Sequence, residues 1–301
     1  MTIDQQGYAR PEHLVETEWL EQHLNDTNLR VFDCTVNILP NPDQEKSADI
    51  PFIFQNGRDH YNQEHIPHAG FFDIADELSD LSATVPLMMP SEEQFTKVMS
   101  SYGISDNTHV ILYSSSDPNW AARAWWMLRA FGFDNAAILN GGWNKWAQEK
   151  RPASNIASNY KPANFIPKFR PSVFVGKQEV LQAINHDHTR IICALPPAIY
   201  SGNSDIKFGR KGRVAGSVNV PFTSLHNPET GVYLAADQLQ DNFDKVNIDA
   251  AANIITYCGG GIAASNDAFV MNLLGYDNVA VYDGSMLEWG YDTSLPMEAD
   301  V

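Results

Sequence analysis

One cysteine in this chain stands where a thiol can do chemistry. Residues 253–265 read NIITYCGGGIAAS: an apolar run that ends at Cys258, three glycines, then small residues fit to start a helix. A cysteine at a strand end, followed by residues without side chains and a helix N-terminus, faces several free backbone amides. That setting is expected to lower the thiol pKa, to roughly 3.5–7.5, and to give a thiolate nucleophile at neutral pH. Cys34 and Cys193 end short apolar strands at matching places in the chain and read as small packed residues.

Other chemistries fit the same stretch less well. Gly259-x-Gly261-x-x-Ala264 after a strand, with Asp283 closing the next strand, comes close to a dinucleotide fingerprint. Only residues 284–301 follow Asp283, too few to complete a nucleotide-binding sheet, so a dinucleotide-binding protein is the remote alternative. A cysteine phosphatase needs an arginine to grip phosphate, and GGGIAAS at 259–265 carries no cation. His60, His65, His68, His186 and His188 have no cysteine or carboxylate set at ligand spacing beside them, so no metal is expected. No Gly-x-Ser-x-Gly elbow is present, and no cofactor is expected.

The elements that must position Cys258 are written twice. THVILYSSSDPNWAARAWWMLRAFGFDNAAILNGGW (108–143) has the layout of ANIITYCGGGIAASNDAFVMNLLGYDNVAVYDGSM (252–286): strand, polar loop, helix, Gly-aromatic-Asp-Asn turn, strand, glycine turn. Upstream, HIPHAGFFDI (65–74) matches RVAGSVNVPF (213–222), and VETEWLEQHLNDTNLRVFDC (15–34) matches VGKQEVLQAINHDHTRIIC (175–193). Three matches in one order make a tandem duplication. The seam, KRPASNIASNYKPANFIPKFRP, is rich in Pro, Asn, Ser and Lys and reads as an extended linker. Residues 1–150 are expected to form a catalytically silent domain, 151–172 the linker, and 173–301 the catalytic domain. Short apolar strands alternate with helical segments in both, which predicts an α/β fold with a parallel sheet flanked by helices on both faces. Ligands in such sheets sit at the carboxyl ends of the strands, where the Cys258 loop falls. Trp125 and Trp126 lie on a helical apolar stripe and are expected in the core.

Bulk properties agree with a globular protein. With 301 residues, 44% of them apolar, the chain can bury two cores. Its net charge of −17 repels nucleic acid and anionic membrane surfaces, so neither is an expected partner. No export signal or long apolar run is visible, and three scattered cysteines fit a reducing compartment, so a cytoplasmic protein is expected.

These segments together resemble the two-domain rhodanese-type sulfurtransferases. The resemblance rests on VETEWLEQHL, VFDC, HIPHAGFFDI, AARAWWMLRAFG, LNGGWNKW, GSVNVPF, the Cys258 loop and DGSMLEWG. It implies two rhodanese-like domains, the first silent, with Ser114 where the thiol would stand. It also implies that Cys258 takes a sulfane sulfur as a persulfide and passes it to cyanide or a thiol, a protein acceptor included. The amides of Gly259, Gly260, Gly261, Ile262, Ala263 and Ala264 would stabilise both forms. CGGGIA is closer to the C-G-S/T-G-V-T loops of mercaptopyruvate-using members than to the C-R-K-G-x-T loops of thiosulfate-using ones, which favours 3-mercaptopyruvate as donor. Leu195 and Ile199 stand where the family has donor-binding arginines, so the alternative is a non-catalytic or sulfur-carrier, partner-binding rhodanese-like protein. A cluster at 206–213, Lys207, Arg210, Lys211 and Arg213, offers a substitute anion clamp through Arg210 and Arg213. His65 matches the family's H-I-P-G-A histidine and is a further candidate for the donor site.

Overall fold

The computed structural model describes residues 6–41, 50–186, 188–206, 208–249 and 252–300. In the first half, β1 (Leu14–Val15), α1 (Thr17–His23) and β2 (Leu29–Asp33) lead into a hairpin, β3 (Val36–Pro40) and β4 (Phe52–Asn56). Then come α2 (Arg58–Gln63), β5 (Gly70–Phe71), α3 (Glu92–Ser101), β6 (His109–Tyr113), α4 (Pro118–Ala130), β7 (Ala136–Leu139) and α5 (Gly142–Gln148). The second half runs β8 (Phe174–Val175), α6 (Lys177–Ala183), β9 (Thr189–Cys193), α7 (Pro197–Tyr200), β10 (Arg213–Val214) and β11 (Val218–Asn219). It closes with α8 (Ala236–Asp244), β12 (Asn253–Tyr257), α9 (Ile262–Leu273), β13 (Val279–Tyr282), α10 (Ser285–Trp289) and β14 (Met297–Glu298).

Both halves build the same sheet. The first has strand order β1-β7-β6-β2-β5 and the second β8-β13-β12-β9-β11, each five-stranded and parallel throughout. The order is the one the duplication requires, with β6 and β12 in the centre. Each parallel strand is buried on both faces, so its residues divide between two cores by period two. Val31 and Ile111 pack on one side of the first sheet, while their neighbours Phe32 and Leu112 join the larger core that runs into the second domain.

α4 and α9 occupy equivalent places and pack against each other, so the two cores meet there. α9 is buried at every position, its polar Ser265, Asn266, Asp267 and Asn272 included. Trp125 packs edge-on to Phe269 of α9 at 5.0 Å, and Trp126 Nε1 donates to Val173 O at 3.0 Å. Both tryptophans are therefore core residues, as expected. Residues 155–170 form no helix or strand and lie along the first domain, with Tyr160 Oη donating to His68 O and Ala163 N to Ser100 O.

The halves differ after their second strand. The first inserts the antiparallel β3–β4 hairpin, and the second places α7 and a loop carrying Phe208 there. Phe52 of the hairpin meets Phe208 across the domain boundary, ring centroids 6.3 Å apart. Together they overhang the carboxyl end of β12.

Candidate active site

Cys258 follows β12 directly, and the chain turns at once into α9. The turn needs a left-handed residue at Gly261, φ +78°, which serves as the N-cap of α9. A Cβ there would stand 2.9 Å from Asp283 O and 3.2 Å from Arg123 Nη1, so the position also lacks room. Gly259 is confined on its own side, since a Cβ would lie 2.7 Å from Phe208 Cζ. The glycines are thus required by turn geometry and by close packing.

Outward contacts orient the loop. Met286 N donates to Cys258 O at 3.0 Å and Leu287 N to Gly259 O at 2.8 Å, so the carbonyls point toward α10. Ser285 Oγ accepts from both Cys258 N and Gly261 N at 3.1 Å and itself donates to Tyr282 O. Ser265 Oγ donates to Gly261 O and Thr256 Oγ1 to Ala264 O. With the carbonyls engaged outside, the amides of Ala264, Gly260 and Ala263 bear on the sulfur, and that of Gly261, held by Ser285, lies near enough to add to them.

The electrostatic outcome corrects one expectation. Burial pushes the Cys258 thiol up from its ordinary value, and those four amides pull it back without cancelling the rise. Cys258 is 2% exposed, and desolvation of the charged form outweighs the amide ring. Cys34 and Cys193 are buried as well; burial pushes Cys193 up to about 12 and Cys34 well above its ordinary value, which suits inert packing residues.

A cavity of about 200 Å³ opens on Cys258, and its wall is mostly apolar. The first domain contributes Phe52 and Phe54, and the second Phe208 and Leu287. Leu195 and Ile199, at the positions of the family's donor-binding arginines, line it too. Gly259, Gly260, Ile262 and Ala263 complete the loop side. Among the described residues its polar side chains besides Cys258 are Asp117 and Asn119 of the first domain.

The proposed anion clamp is placed elsewhere. Arg210 donates to the carbonyls of Trp289, Gly290, Asp292 and Leu295, tying down the turn after α10. Arg213 pairs with Asp300 at 2.9 Å and Glu298 at 3.5 Å and stacks over Tyr200. Neither lines the cavity, because backbone carbonyls and C-terminal carboxylates claim them; Lys207 lies outside the described residues. His65 is corrected likewise. It is fully buried, stacks on Tyr61 and approaches Tyr61 O and Ile156 O, so it anchors the linker.

Two supporting groups escaped the sequence reading. Arg123 of α4, wholly buried, lies 2.7 Å from Asp283 Oδ1 across the domain boundary, stacks on Phe174 and donates to Leu87 O at 2.7 Å. Asp283 Oδ2 in turn accepts from Met89 N at 2.8 Å. One ion pair therefore ties the underside of the Gly261 turn to the segment carrying Leu87, a wall residue held at φ +64°. Ser285 is the other, and only its place in a Gly-Ser turn hinted at it.

Among the described residues, no cluster of His, Cys, Asp or Glu suits a metal ion and no helix is long and apolar enough to cross a membrane. A thiol held in backbone amides at the carboxyl end of a parallel sheet, in the second of two like domains, defines a sulfur-handling class. The family description Rhodanese-like domain matches residues 16–149 and again 177–292, and the chain belongs to that family. It is a sulfurtransferase by family and fold. It is 32% identical over 286 residues to a 3-mercaptopyruvate sulfurtransferase of Escherichia coli (strain K12), covering 94% of this chain and 97% of that one. A thiosulfate sulfurtransferase of Rattus norvegicus is 32% identical over 92% of this chain and 91% of its own. The sulfur carrier protein TtuD of Thermus thermophilus is 30% identical over 97% and 98%. The crystal structure of SseA from Escherichia coli superposes with TM-score 0.77 at 31% identity, covering 91% of this chain and 98% of that one.

Proposed function

We propose that Cys258 is the nucleophile of a sulfur transfer that runs through its persulfide. The thiolate attacks the sulfur of a small donor; with 3-mercaptopyruvate the carbon–sulfur bond breaks and pyruvate leaves, and with thiosulfate the sulfur–sulfur bond breaks and sulfite leaves. The outer sulfur then passes to a thiophilic acceptor, cyanide or a thiol. The convergence of loop amides on the Cys258 sulfur carries this reading, since the same donors serve the thiolate and the persulfide anion. Among the described residues no cation lines the wall, which disfavours the thiosulfate dianion and supports 3-mercaptopyruvate with its single carboxylate. We assign residues 1–150 to a silent domain, 151–172 to the linker and 173–301 to the catalytic domain. We place the protein in the cytoplasm, in keeping with three free cysteines.

The test is an intact mass after separate incubation with 3-mercaptopyruvate and with thiosulfate. One added sulfur that is lost in Cys258→Ser supports the proposal, and the donor that loads the protein names the substrate class. No adduct with either donor defeats it.

A further inference from the structure

The cavity over Cys258 has a wall larger and more apolar than a small anionic donor uses. Aromatic rings close it from both domains: Phe52, Phe54 and Trp120 from the first, Phe208 and Phe222 from the second. Phe54 and Trp120 meet edge to face at 6.4 Å, so the wall is a packed aromatic surface. At the end formed by the first domain the wall changes character. Asp117 is the N-cap of α4 and accepts from Asn119 N at 2.8 Å through one oxygen. Asn119, 5% exposed, has a side-chain oxygen with no hydrogen-bond partner. Burial without a partner is costly for such an atom, so it is a place for a donor that the protein itself does not supply.

We propose that the sulfur acceptor is an organic thiol with an apolar body and a cationic or uncharged N–H or O–H end, its body against the aromatic wall and its donor end at Asp117 and Asn119. The inference rests on the Cys258 persulfide reading. The acceptor thiolate forms a bond to the outer sulfur of Cys258–S–SH, the bond between the two persulfide sulfurs breaks, and Cys258 leaves as its thiolate. The product is the acceptor's own persulfide, and no oxidant or reductant is consumed. Aromatic faces favour a cation or an apolar group, while the Asp117 carboxylate repels a second negative charge. Among the described residues of the lining, no cation offsets that repulsion, and Leu195 and Ile199 are apolar.

Two measurements test this separately from the persulfide itself. The first needs no sulfur donor: the rates at which N-benzyl iodoacetamide and iodoacetate alkylate Cys258 are compared, each relative to a free model thiol. The neutral aromatic reagent should be preferred by about tenfold or more. Asp117→Asn, which keeps an N-cap side chain, should raise the iodoacetate rate and narrow that preference. In the second, protein whose persulfide has been verified by mass is mixed with 4-(aminomethyl)benzyl mercaptan, benzyl mercaptan or mercaptosuccinate. Sulfur should leave fastest to the first and at least about tenfold slower to the dianion. Equal or faster reaction with iodoacetate and mercaptosuccinate would overturn the proposal, as would a charge preference untouched by Asp117→Asn. Failure to load the persulfide sinks the sulfur-transfer reading alone, since the alkylation rates still decide what the cavity prefers.

Discussion

Two loops in this molecule began as one and now differ in what their amides face. At the end of β12, the loop carbonyls bond outward, Ser285 Oγ takes the amides of Cys258 and Gly261, and those of Gly260, Ala263 and Ala264 face the sulfur. At the end of β6, side chains take the amides: Ser115 N donates to Thr35 Oγ1 at 2.9 Å and Ser116 N to Ser114 Oγ at 3.2 Å. The helix that follows is capped by Asp117 in extended backbone, where the second copy has left-handed Gly261. The buttress differs as well. Ser285 fills the gap behind the Cys258 loop, but a side chain at its counterpart Gly142 would stand 2.5 Å from Ser114 O. The first copy therefore differs from the second in the whole loop and its support, not in one missing sulfur alone.

The clefts over the two loops diverge in the same way. The cleft over the first-copy loop, about 280 Å³, is edged by Ser114, Ser116, Thr230 and His226, whose pKa burial pushes down to about 4, so that it stays a neutral ring. The first domain nonetheless serves the second. It supplies Phe52, Phe54, Asp117 and Asn119 to the Cys258 wall and Arg123 to the floor.

If the loop as a whole makes the difference, Cys258→Ser should abolish sulfur loading entirely, and Ser114→Cys in that background should not restore it. One added sulfur on the double variant, read by intact mass, would break the comparison. Arg123→Met should leave Asp283 buried without its cation, at a cost of about 3–5 kcal/mol read from urea unfolding. It should also impair sulfur loading, which Arg123→Lys would partly rescue. An unchanged unfolding midpoint would show that the two domains do not lean on this pair. Gly261→Ala forces a left-handed alanine, at about 1–2 kcal/mol from the backbone alone, and its methyl presses on Asp283 O. Sulfur loading should fall with it, whereas Gly216→Ala, at φ +72° but with open space around its Cβ, should carry the backbone cost without the loss of loading. The gentlest probe is pH. Because the Cys258 pKa is raised, its alkylation by iodoacetamide should climb about tenfold per pH unit through neutrality, up to the raised pKa. A rate already flat at pH 7 would mean that the amide ring, contrary to the burial argument, wins.

The legible part of this protein was what repeats and what has a period. Strands with continuous apolar runs, amphipathic helices between them and two copies in register gave the parallel sheets and the place of Cys258, because each of these is a local or periodic signal. The glycines of CGGGIA announced a tight turn at a helix start, and the turn is there. The anion clamp failed for a physical reason. A basic cluster in an acidic chain looks available until folding brings carbonyls and C-terminal carboxylates onto Arg210 and Arg213.

By itself, then, the sequence determined the duplicated architecture, the strand-end place of Cys258 and the glycine turn around it, since these depend on neighbours along the chain. The tertiary structure alone decided the rest. Arg123 reaches Asp283, Phe52 meets Phe208, and Asp117 joins the Cys258 wall only when the two domains close on each other. The thiol's acidity was settled in the same way, because desolvation depends on everything packed around a group and an amide ring read from local sequence is only one part of it.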